Sequence, residues 1–297
     1  MDINADTIRS LYTAVSMAFN ARFDATESFY QMVSMTVPST TAMNEYPRMD
    51  DLPGFREWIG DRVVHDLSLS TYQIKNREFE KTIGIKRSQI EDDQYGFLAM
   101  AAAQMGQDAG EFPDSLVWPL WKAGNATICY DGQNFFDTDH VGFDEDGAEV
   151  SVSNYQAGGG AAWYLIDDSK VMKPMIWQPR KKFQLISKDS DRDDNTFLKG
   201  KYLWGVDGRC NAGYGLWQLA YMSKETLNTA NYAAARTALG TLRRRDGTPL
   251  NISGKKLLVP PSLESAGRKL LNSENAAGGE TNEWKGTAEL VVVPWLA

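Results

Sequence analysis

The chain has 297 residues, 42% of them apolar, and its 31 Lys and Arg against 39 Asp and Glu give a formal net charge of −8. This length permits a large core and about two domains, because single cores stop growing near roughly 250–300 residues. The acidic balance argues against a dedicated nucleic-acid-binding protein, and no apolar run approaches the roughly 20 residues that span a bilayer.

The cysteine and histidine content limits the chemistry that this chain can support. Cys129 and Cys210 are too few for a disulfide framework and suit a reducing compartment. His65 and His140 leave little material for a zinc site or a catalytic triad. The 9 Trp, 12 Tyr and 12 Phe instead indicate a large, well-packed core. We therefore expect no cofactor, no metal ion and no enzymatic activity.

The first 50 residues divide into a helix and a less regular segment. An amphipathic helix is predicted over residues 6–23, with Asp6 as its N-cap. Its apolar stripe, at spacings of three or four residues, consists of Ile8, Leu11, Val15 and Phe19. Residues 24–50 have no steady period and contain Pro38 and Pro47, so we expect an extended arm there rather than a packed element.

Residues 51–90 have a different character, with a polar and strongly charged alternating pattern. Strands are predicted on either side of a turn at residues 75–78, which gives a two-stranded hairpin. A hairpin with this many charged side chains buries too little apolar surface to be stable by itself. Two interpretations stay open: an ordinary exposed hairpin, or an arm that becomes ordered against a neighbouring subunit.

A long helix is predicted over residues 92–124, ended or kinked by Pro113 and terminated at Gly124. Short apolar runs between residues 127 and 205 predict strands separated by loops. Two further strands, at 199–205 and 216–222, flank a predicted turn at 207–215.

The last quarter of the chain alternates helices and buried strands. It has a helix at 226–243, a buried strand around 256–260, a helix with Ser262 as N-cap, and a final strand within 288–297. Helices and strands are mixed without repeats, so the predicted class is α+β.

The densest acidic segment, residues 131–149, does not fit a known catalytic or metal motif. A calcium loop starting at Asp137 would place Val141 and Ala148 at ligand positions. A second acidic run at 189–193 also lacks the required Gly and Glu, so exposed loops are the preferred interpretation of both. His140 follows Asp139 without a nucleophile motif nearby, which favours a structural histidine over an acid–base pair.

The remaining candidates also have structural interpretations. Cys129 and Cys210 lack C-x-x-C spacing, so we expect buried, inert thiols. Arg243, Arg244 and Arg245 follow a predicted helix and suit a solvated helix end, although a subunit contact stays open. Core or interface positions are favoured over a sugar-binding cleft for four tryptophans, Trp163, Trp177, Trp204 and Trp217.

Two functions from other classes remain as alternatives. One is a carbohydrate-active hydrolase in which Asp137 would work with Asp144 or Glu145. The other is a monomeric metal-binding module. The small number of reactive side chains agrees better with a protein that assembles through its arm and hairpin.

Several longer sequence segments resemble those of one family, the major head (capsid) subunits of Mu-like tailed bacteriophages and prophages. The matching segments are spread along nearly the whole chain in the family's order. They include FREWIGDR (55–62), YQIKNREFEKTIGIKR (72–87), EDDQYG (91–96), CYDGQNFFDTDH (129–140), WYLIDDSKVMKPMIWQPRKK (163–182), YLWGVDGRCNAGYGLWQLAY (202–221), LLVPPSLESAGRKLLN (257–272) and WKGTAELVVVPWL (284–296).

The resemblance implies the Hong Kong 97-type phage capsid fold. Carried over by segment, it gives an N-terminal arm at 1–50, an extended hairpin loop at 51–90, a peripheral domain with a spine helix at 91–225, and an axial domain at 226–297. One departure concerns the segment 163–209, which looks like the return segment that follows the axial domain in many relatives but here precedes it.

The resemblance also implies a function and a set of partners. Copies would form hexamers and pentamers of an icosahedral head that encloses double-stranded DNA without binding it specifically. Other partners would be a separate scaffolding protein, a portal and a cement or decoration protein, with assembly in the bacterial host cytoplasm and no membrane contact. No covalent cross-links between subunits are expected. Candidate subunit contacts are Arg56, Trp58, Arg62, Tyr72, Lys75, Arg77, Glu78, Lys81, Arg243, Arg244 and Arg245.

Overall fold

A computed structural model of the protein describes residues 5–46, 72–92, 96–190, 193–275 and 279–297. Within these ranges the α-helices are α1 (Ala5–Ala25), α2 (Tyr30–Val33), α3 (Arg87–Glu91), α4 (Phe97–Lys122), α5 (Asp194–Lys199), α6 (Thr229–Gly240) and α7 (Glu264–Leu271). Short 3-10 helices occupy Trp217–Leu219, Pro261–Leu263 and Pro294–Leu296.

The strands are β1 (Ser34–Thr36), β2 (Met43–Glu45), β3 (Gln73–Lys75), β4 (Arg77–Lys86), β5 (His140–Phe143), β6 (Glu149–Val152), β7 (Tyr155–Gln156), β8 (Trp163–Ile166), β9 (Met175–Lys188), β10 (Lys201–Tyr214), β11 (Ala220–Ser223), β12 (Lys256–Val259) and β13 (Glu289–Val292). They form a four-stranded sheet of order β1-β9-β10-β4 and a five-stranded sheet of order β13-β12-β8-β11-β7. Two strand pairs, β2-β3 and β5-β6, complete the set.

The two long helices α1 and α4 pack directly against each other. Phe19 is fully buried between them, and the predicted apolar stripe of α1 faces this contact. At Gly106 the backbones come so close that a Cβ atom would lie 2.3 Å from the carbonyl oxygen of Phe19. The predicted helix at 6–23 is therefore confirmed, with limits at Ala5 and Ala25.

Helix α4 continues without a break through Pro113 and Pro119, so the helix does not end at Pro113, the first of the two predicted possibilities. Proline removes one amide donor from a helix and disturbs the preceding turn. Here Ser28 Oγ donates to the carbonyl oxygen of Gly110 at 3.2 Å, within that turn. Packing of α4 on α1 and on strands β9 and β10 stabilises the helix.

A buried carboxylate joins the start of the chain to α4. Asp114 accepts hydrogen bonds from the backbone amides of Phe29 (3.1 Å) and Tyr30 (2.6 Å) at the start of α2. It also accepts one from Trp118 Nε1 at 2.9 Å. The chain then enters β1, which pairs in parallel with β9. The expectation that residues 24–50 form no packed element is thus wrong for the segment from α2 to β2.

The predicted hairpin with a turn at 75–78 is also wrong. Strand β3 pairs with β2, whereas β4 pairs with β10 along its whole length, from Arg77–Cys210 to Lys86–Lys201. The two strands part at Asn76, whose buried side chain donates to Ser39 Oγ at 2.8 Å and the Thr41 carbonyl oxygen at 2.9 Å. The alternating pattern showed that strands form but not which partner each strand takes.

Glycines account for the error in the predicted turn at 207–215, which lies mostly within β10. Gly208 leaves room for the ring of Phe183, since a Cβ atom there would lie 2.7 Å from it. Gly213 does the same for Ile74, at 2.1 Å. These glycines permit close packing across the sheet instead of reversing the chain.

Other predicted elements of the second half are confirmed with changed limits. The helix predicted at 226–243 is α6, which ends at Gly240, and the buried strand near 256–260 is β12. Helix α7 begins after Leu263 with no side-chain cap, so Ser262 is not its N-cap. The five-stranded sheet takes strands from both sides of the domain limit predicted at 225/226.

Three hydrophobic clusters form the interior of the described part of the chain, and the same long elements contribute to the two largest. The larger cluster contains Trp118 and Trp121 from α4 and Trp177 from β9. The smaller one contains Met105 from the other half of α4 and Leu185 from the other half of β9. Helix α4 and the β9–β10 hairpin therefore connect the two parts of the subunit. The aromatic content predicted a large core, and this placement confirms it.

The first prediction concerns the α1–α4 contact. Gly106→Ala should lower the free energy of unfolding by about 1–3 kcal/mol, because the added methyl group forces the two helices apart. Urea unfolding of the subunit followed by tryptophan fluorescence measures this change. Gly240→Ala is the matched control, since a Cβ atom there has its nearest neighbour at 4.0 Å and alanine favours the helix. Equal stability of Gly106→Ala and wild type would contradict the close contact.

Candidate subunit-contact surface

The ends of the segment 47–71 are held together at one point of the subunit. Tyr46 donates its backbone amide hydrogen to the carbonyl oxygen of Tyr72 at 3.0 Å, and Glu45 lies opposite Gln73 in the β2–β3 pair. The chain therefore leaves and re-enters the described structure at the same place. Of the predicted contact residues, Arg56, Trp58 and Arg62 belong to this segment and lie outside the described residues, as does His65.

A buried polar network anchors the two ends of the segment 47–71, which we call the root, to the four-stranded sheet. The side chain of Gln178 on β9 is fully buried and accepts a hydrogen bond from Tyr46 Oη at 2.6 Å. Its amide group donates to the carbonyl oxygen of Ile74 at 3.0 Å and to Asn76 Oδ1 at 2.8 Å. Buried polar groups satisfied in this way rigidify a structure. One glutamine thus holds both ends of the segment in a fixed position.

Tyr72 belongs to the same root rather than to an open surface. Its half-buried hydroxyl oxygen accepts a hydrogen bond from the backbone amide of Tyr214 at 2.6 Å. Burial raises the pKa of the Tyr72 phenol well above its usual value. Lys75 lies exposed on β3, and its carbonyl oxygen accepts from Asn211 Nδ2 at 2.7 Å. Tyr72 therefore contributes to the subunit's own fold, while the Lys75 side chain stays at the surface.

Three charged residues of β4 form contacts within the subunit. The guanidinium of Arg77 lies 5.2 Å from the ring centre of Phe79. Glu78 forms an ion pair with Arg209 at 3.3 Å, and Lys81 forms one with Asp108 of α4. Burial opposes ionisation of Asp108, but hydrogen bonds from Lys81 and Gln104 keep the pKa of this carboxyl below its usual value. Lys81 thus ties β4 to α4.

The three predicted arginine contacts, 243–245, lie beyond the end of α6 in a tight turn. Arg243 Nη1 donates to the carbonyl oxygen of Gly247 at 2.8 Å. This turn packs on the acidic turn between β5 and β6. Gly147 in the acidic turn and Gly247 in the turn with the arginines have φ angles of 79° and 78°. A Cβ atom on Gly247 would lie 2.2 Å from the carbonyl oxygen of Glu145, so both turns require glycine. The expected solvated helix end is instead a turn packed against another turn.

An apolar groove of about 250 Å³ lies beside these arginines. Val141 from β5 and Val171 from the loop after β8 are 48% and 96% exposed at its edge. Lys170, Arg243 and Arg244 line the same groove. The predicted contact residues therefore fall into two groups, one at the root and on β4 and one beside this groove, and they do not form a single site.

His140 is fully buried and has a structural environment. Its Nδ1 atom lies 2.7 Å from Asp131 Oδ2, and its ring stacks on Trp217 at a centre distance of 3.9 Å. Cys129 Sγ donates to the other oxygen of Asp131 at 3.1 Å. Burial alone would raise the pKa of Asp131, but hydrogen bonds from His140 and Cys129 lower it. The interpretation of His140 as a structural histidine is confirmed, with Asp131 rather than Asp139 as its partner.

The other reactive candidates also have structural contacts. Burial raises the pKa of the Cys129 thiol, and it raises the pKa of Cys210 to about 12, as expected for inert thiols. Asp137 accepts from the backbone amides of Asn134 (3.1 Å) and Thr138 (2.7 Å). Asp144 accepts from the amides of Asp146 and Ala148, each at 2.9 Å. Asp137 and Asp144 therefore hold turns, which removes the main support for a paired-carboxylate hydrolase.

Metal-binding clusters and membrane-spanning helices are both absent from the part of the chain that the structure describes. Among these residues, His, Cys, Asp and Glu side chains form no group of three or more that could hold a metal ion. None of the helices in the same ranges is both long and apolar enough to cross a bilayer.

Sequence reasoning missed the residues that hold the start of α2 and the two ends of the segment 47–71. Asp114 and Gln178 are buried polar side chains, and their role depends on partners 84 and 132 residues away in the chain. The one available signal was an acidic residue directly after Pro113 inside an apolar helix. Nothing in the local sequence indicates the partners of Gln178.

Comparison with known proteins gives matches over the whole chain. Residues 8–296 match the family described as "Mu-like prophage major head subunit gpT". The major capsid protein of Escherichia phage Mu is 35% identical over 100% of both chains. A subunit of the procapsid of bacteriophage JBD30 is 40% identical, with a TM-score of 0.87 over 99% of this chain and 100% of that one. A subunit of the JBD30 capsid decorated with minor capsid protein trimers is 31% identical, with a TM-score of 0.72 over 90% of each chain.

The second prediction concerns Asp131. At pH 7, Asp131→Asn should lower the free energy of unfolding by about 2 kcal/mol, because a charged hydrogen-bond partner of a buried group is lost. The folded-state pKa of Asp131 lies below its ordinary value of 3.8, so the wild-type advantage is complete above about pH 4. It should shrink as the pH falls through the folded-state pKa. Urea unfolding between pH 7 and pH 2 measures this trend.

The control for this measurement is Glu145→Gln, an exposed carboxylate in the neighbouring turn. It should leave the free energy of unfolding unchanged at both ends of the pH range. A difference between wild type and Asp131→Asn that stays constant down to pH 2 would contradict the assigned role of this carboxylate.

Proposed function

Because this chain belongs to the Mu-like prophage major head subunit family and is a major capsid protein, we propose that its copies assemble as hexamers and pentamers into an icosahedral head around double-stranded DNA. The single observation that carries this proposal is the agreement of the entire fold with a procapsid subunit. The chain is a structural protein and not an enzyme, since the family and its relatives are capsid subunits.

The four segments implied by the sequence remain proposals for the parts of this subunit. We propose residues 1–50 as the arm, 51–90 as the extended loop, 91–225 as the peripheral domain and 226–297 as the axial domain. The course of α4 along the four-stranded sheet supports its role as the spine helix. Because β7, β8 and β11 share a sheet with β12 and β13, we extend the axial unit to include these three strands.

The extended loop is proposed to reach a neighbouring subunit through Arg56, Trp58 and Arg62. Support comes from its root, where the hydrogen bonds of Gln178 hold both ends of the segment 47–71 against the sheet. Ends anchored in this way place the segment at the same point of every subunit, which repeated contacts in a closed shell require. Lys75 and Arg77 have exposed side chains close to this root and are proposed to contribute to the same contact.

The second proposed contact lies on the axial unit. Arg243, Arg244 and Arg245 lie on a turn that glycine-dependent packing holds in place, and the apolar groove with Val171 at its edge lies beside them. Exposed apolar surface next to fixed positive charge is a composition suited to a subunit interface. Glu78 and Lys81 have partners within their own subunit, so we propose that they position β4 and contribute less to the contact itself.

The net charge of −8 suits a container for DNA. Phosphate groups are repelled by an acidic surface, so the shell encloses the genome without binding it specifically. We propose a scaffolding protein, a portal and a minor capsid protein as further partners. The JBD30 relative that carries minor capsid protein trimers supports only the last of these. We place the finished subunit in the head of the virion and its assembly in the bacterial host cytoplasm, without membrane contact.

The third prediction tests assembly. The purified wild-type chain should form capsomers, tubes or shells in negative-stain electron microscopy. The triple variant Arg56→Ala, Trp58→Ala, Arg62→Ala should lower the yield of shells at least tenfold, since hot-spot residues of this kind dominate contact energies. Its unfolding temperature should equal that of the wild type. Arg268→Ala is the control, because Arg268 pairs with Glu264 on the surface of α7. A monodisperse wild-type monomer under all conditions would contradict the proposed function.

The fourth prediction concerns DNA. Free subunits should show a dissociation constant for duplex DNA no tighter than about 10⁻⁴ M at physiological salt, the weak end of non-specific binding. Fluorescence anisotropy with a labelled duplex measures this value. Submicromolar binding at the same salt concentration would show that the acidic balance does not prevent attachment to the genome.

A further inference from the structure

Two tyrosines flank the segment 47–71. Tyr46 is the last described residue before the segment, and Tyr72 is the first described residue after it. The centres of their rings lie 6.5 Å apart, and both rings pack with Ile74 and Ile176 in the third and smallest hydrophobic cluster. The two ends of the segment therefore meet on a small cluster that is separate from the two larger ones.

The two hydroxyl groups have opposite hydrogen-bonding roles. Tyr46 Oη donates to Gln178 Oε1 on β9 at 2.6 Å, whereas Tyr72 Oη accepts from the backbone amide of Tyr214 on β10 at 2.6 Å. Gln178 Nε2 donates to the carbonyl oxygen of Ile74 at 3.0 Å, so Oε1 is the atom that faces Tyr46. One tyrosine thus holds its end of the segment on β9, and the other holds its end on β10.

The contact of Tyr72 depends on the residues around its hydroxyl group. A Cβ atom on Gly213 would lie 2.9 Å from Tyr72 Oη, so the hydroxyl reaches β10 because this residue has no side chain. Tyr214, which donates its amide hydrogen to Tyr72, is itself fixed in place. Its Oη atom donates to the carbonyl oxygen of Leu120 in α4 at 2.7 Å, and its ring stacks on Phe135 at 4.6 Å. Tyr72 is therefore connected to α4 and to the larger cluster.

The hydroxyl groups and the rings contribute differently to the root. The rings supply the apolar area of the small cluster, and apolar packing tolerates small shifts. A hydrogen bond to a buried partner specifies one position instead. Burial raises the pKa of both phenols above the usual value, so both hydroxyl groups stay protonated at neutral pH. The hydroxyl groups are thus the parts of Tyr46 and Tyr72 that fix the position of the root.

We propose that Tyr46 and Tyr72 are positioning residues for the subunit contact of the segment 47–71, and that they act through their hydroxyl groups. This inference rests on the proposed function, in which the segment reaches a neighbouring subunit. A closed shell repeats the same contact in every copy, so both ends of the segment have to start from the same point each time. The competing explanation is that the two hydroxyl groups only add stability to the fold.

The test removes both hydroxyl groups and keeps both rings, in the double variant Tyr46→Phe with Tyr72→Phe. Hydrogen exchange of the soluble subunit is followed by mass spectrometry at the amides of Tyr46 and Asn76. Both amides keep their own acceptors, the carbonyl oxygens of Tyr72 and Ala42. Their exchange should become about tenfold faster, because the root opens locally more often. Exchange in α1 and α4 should stay at the wild-type rate.

The matched control is Tyr130→Phe with Tyr232→Phe. These two phenols also pair one buried and one half-buried side chain, and their hydroxyl groups bond Gln218 Oε1 and Thr287 Oγ1, each at 2.9 Å. Both double variants should lose a similar amount of unfolding temperature, since each loses two hydrogen bonds. The Tyr46–Tyr72 variant should lower the shell yield about tenfold in electron microscopy, whereas the control should assemble like the wild type.

Each outcome supports or overturns the proposal. Faster exchange at the root together with a loss of shells that the control does not share supports it. Unchanged exchange at Tyr46 and Asn76, a wild-type yield of shells, or an equal loss of shells in both double variants overturns it. If the wild type forms no shells under any condition, the proposed function fails. Faster exchange confined to the root still supports the positioning role in that case, and unchanged exchange overturns it.

Discussion

The subunit depends on the contact between one long helix and one long hairpin. Helix α4 has 26 residues and β9 and β10 have 14 each, and all three run from the larger hydrophobic cluster into the smaller one. A close-packed contact of this length transmits displacement instead of absorbing it. The two parts of the subunit are therefore joined by continuous elements that belong to both hydrophobic clusters.

Buried polar groups then decide where the chain attaches to this helix and hairpin. Asp114 holds the start of α2 on α4, and Gln178 holds both ends of the segment 47–71 on β9. Apolar packing is tolerant of small shifts, whereas hydrogen bonds to a buried side chain specify one position. The same division recurs at the tip of the β9–β10 hairpin, where Asn195 Nδ2 donates to the carbonyl oxygens of Lys188 and Lys201 at the ends of both strands. The positions of the segment 47–71 and of the hairpin tip are thus fixed by hydrogen bonds within the subunit.

Local patterns in the sequence predicted which helices and strands form far better than which strands pair with one another. The stripe of Val15 and Phe19 gave α1, and the apolar run near Leu257 gave β12, because burial on one face or on both leaves a periodic trace. The pairing of β4 with β10 left no such trace, since alternation describes one strand at a time. The helix end predicted at Pro113 and the turn predicted around Gly208 were wrong for one reason, because both residues act on neighbours distant in the chain. Of the candidate contact residues, those in 47–71 remain predictions.

The parallel pairing of β1 with β9 has a consequence for biosynthesis. Tyr46 meets its partner Gln178 across 132 residues of chain, so the root of the segment 47–71 cannot close until residue 178 has left the ribosome. Contacts between residues so distant in sequence form late, because the entropy of closing the intervening loop opposes them. Nascent chains shorter than 178 residues therefore lack the closed root of the segment 47–71.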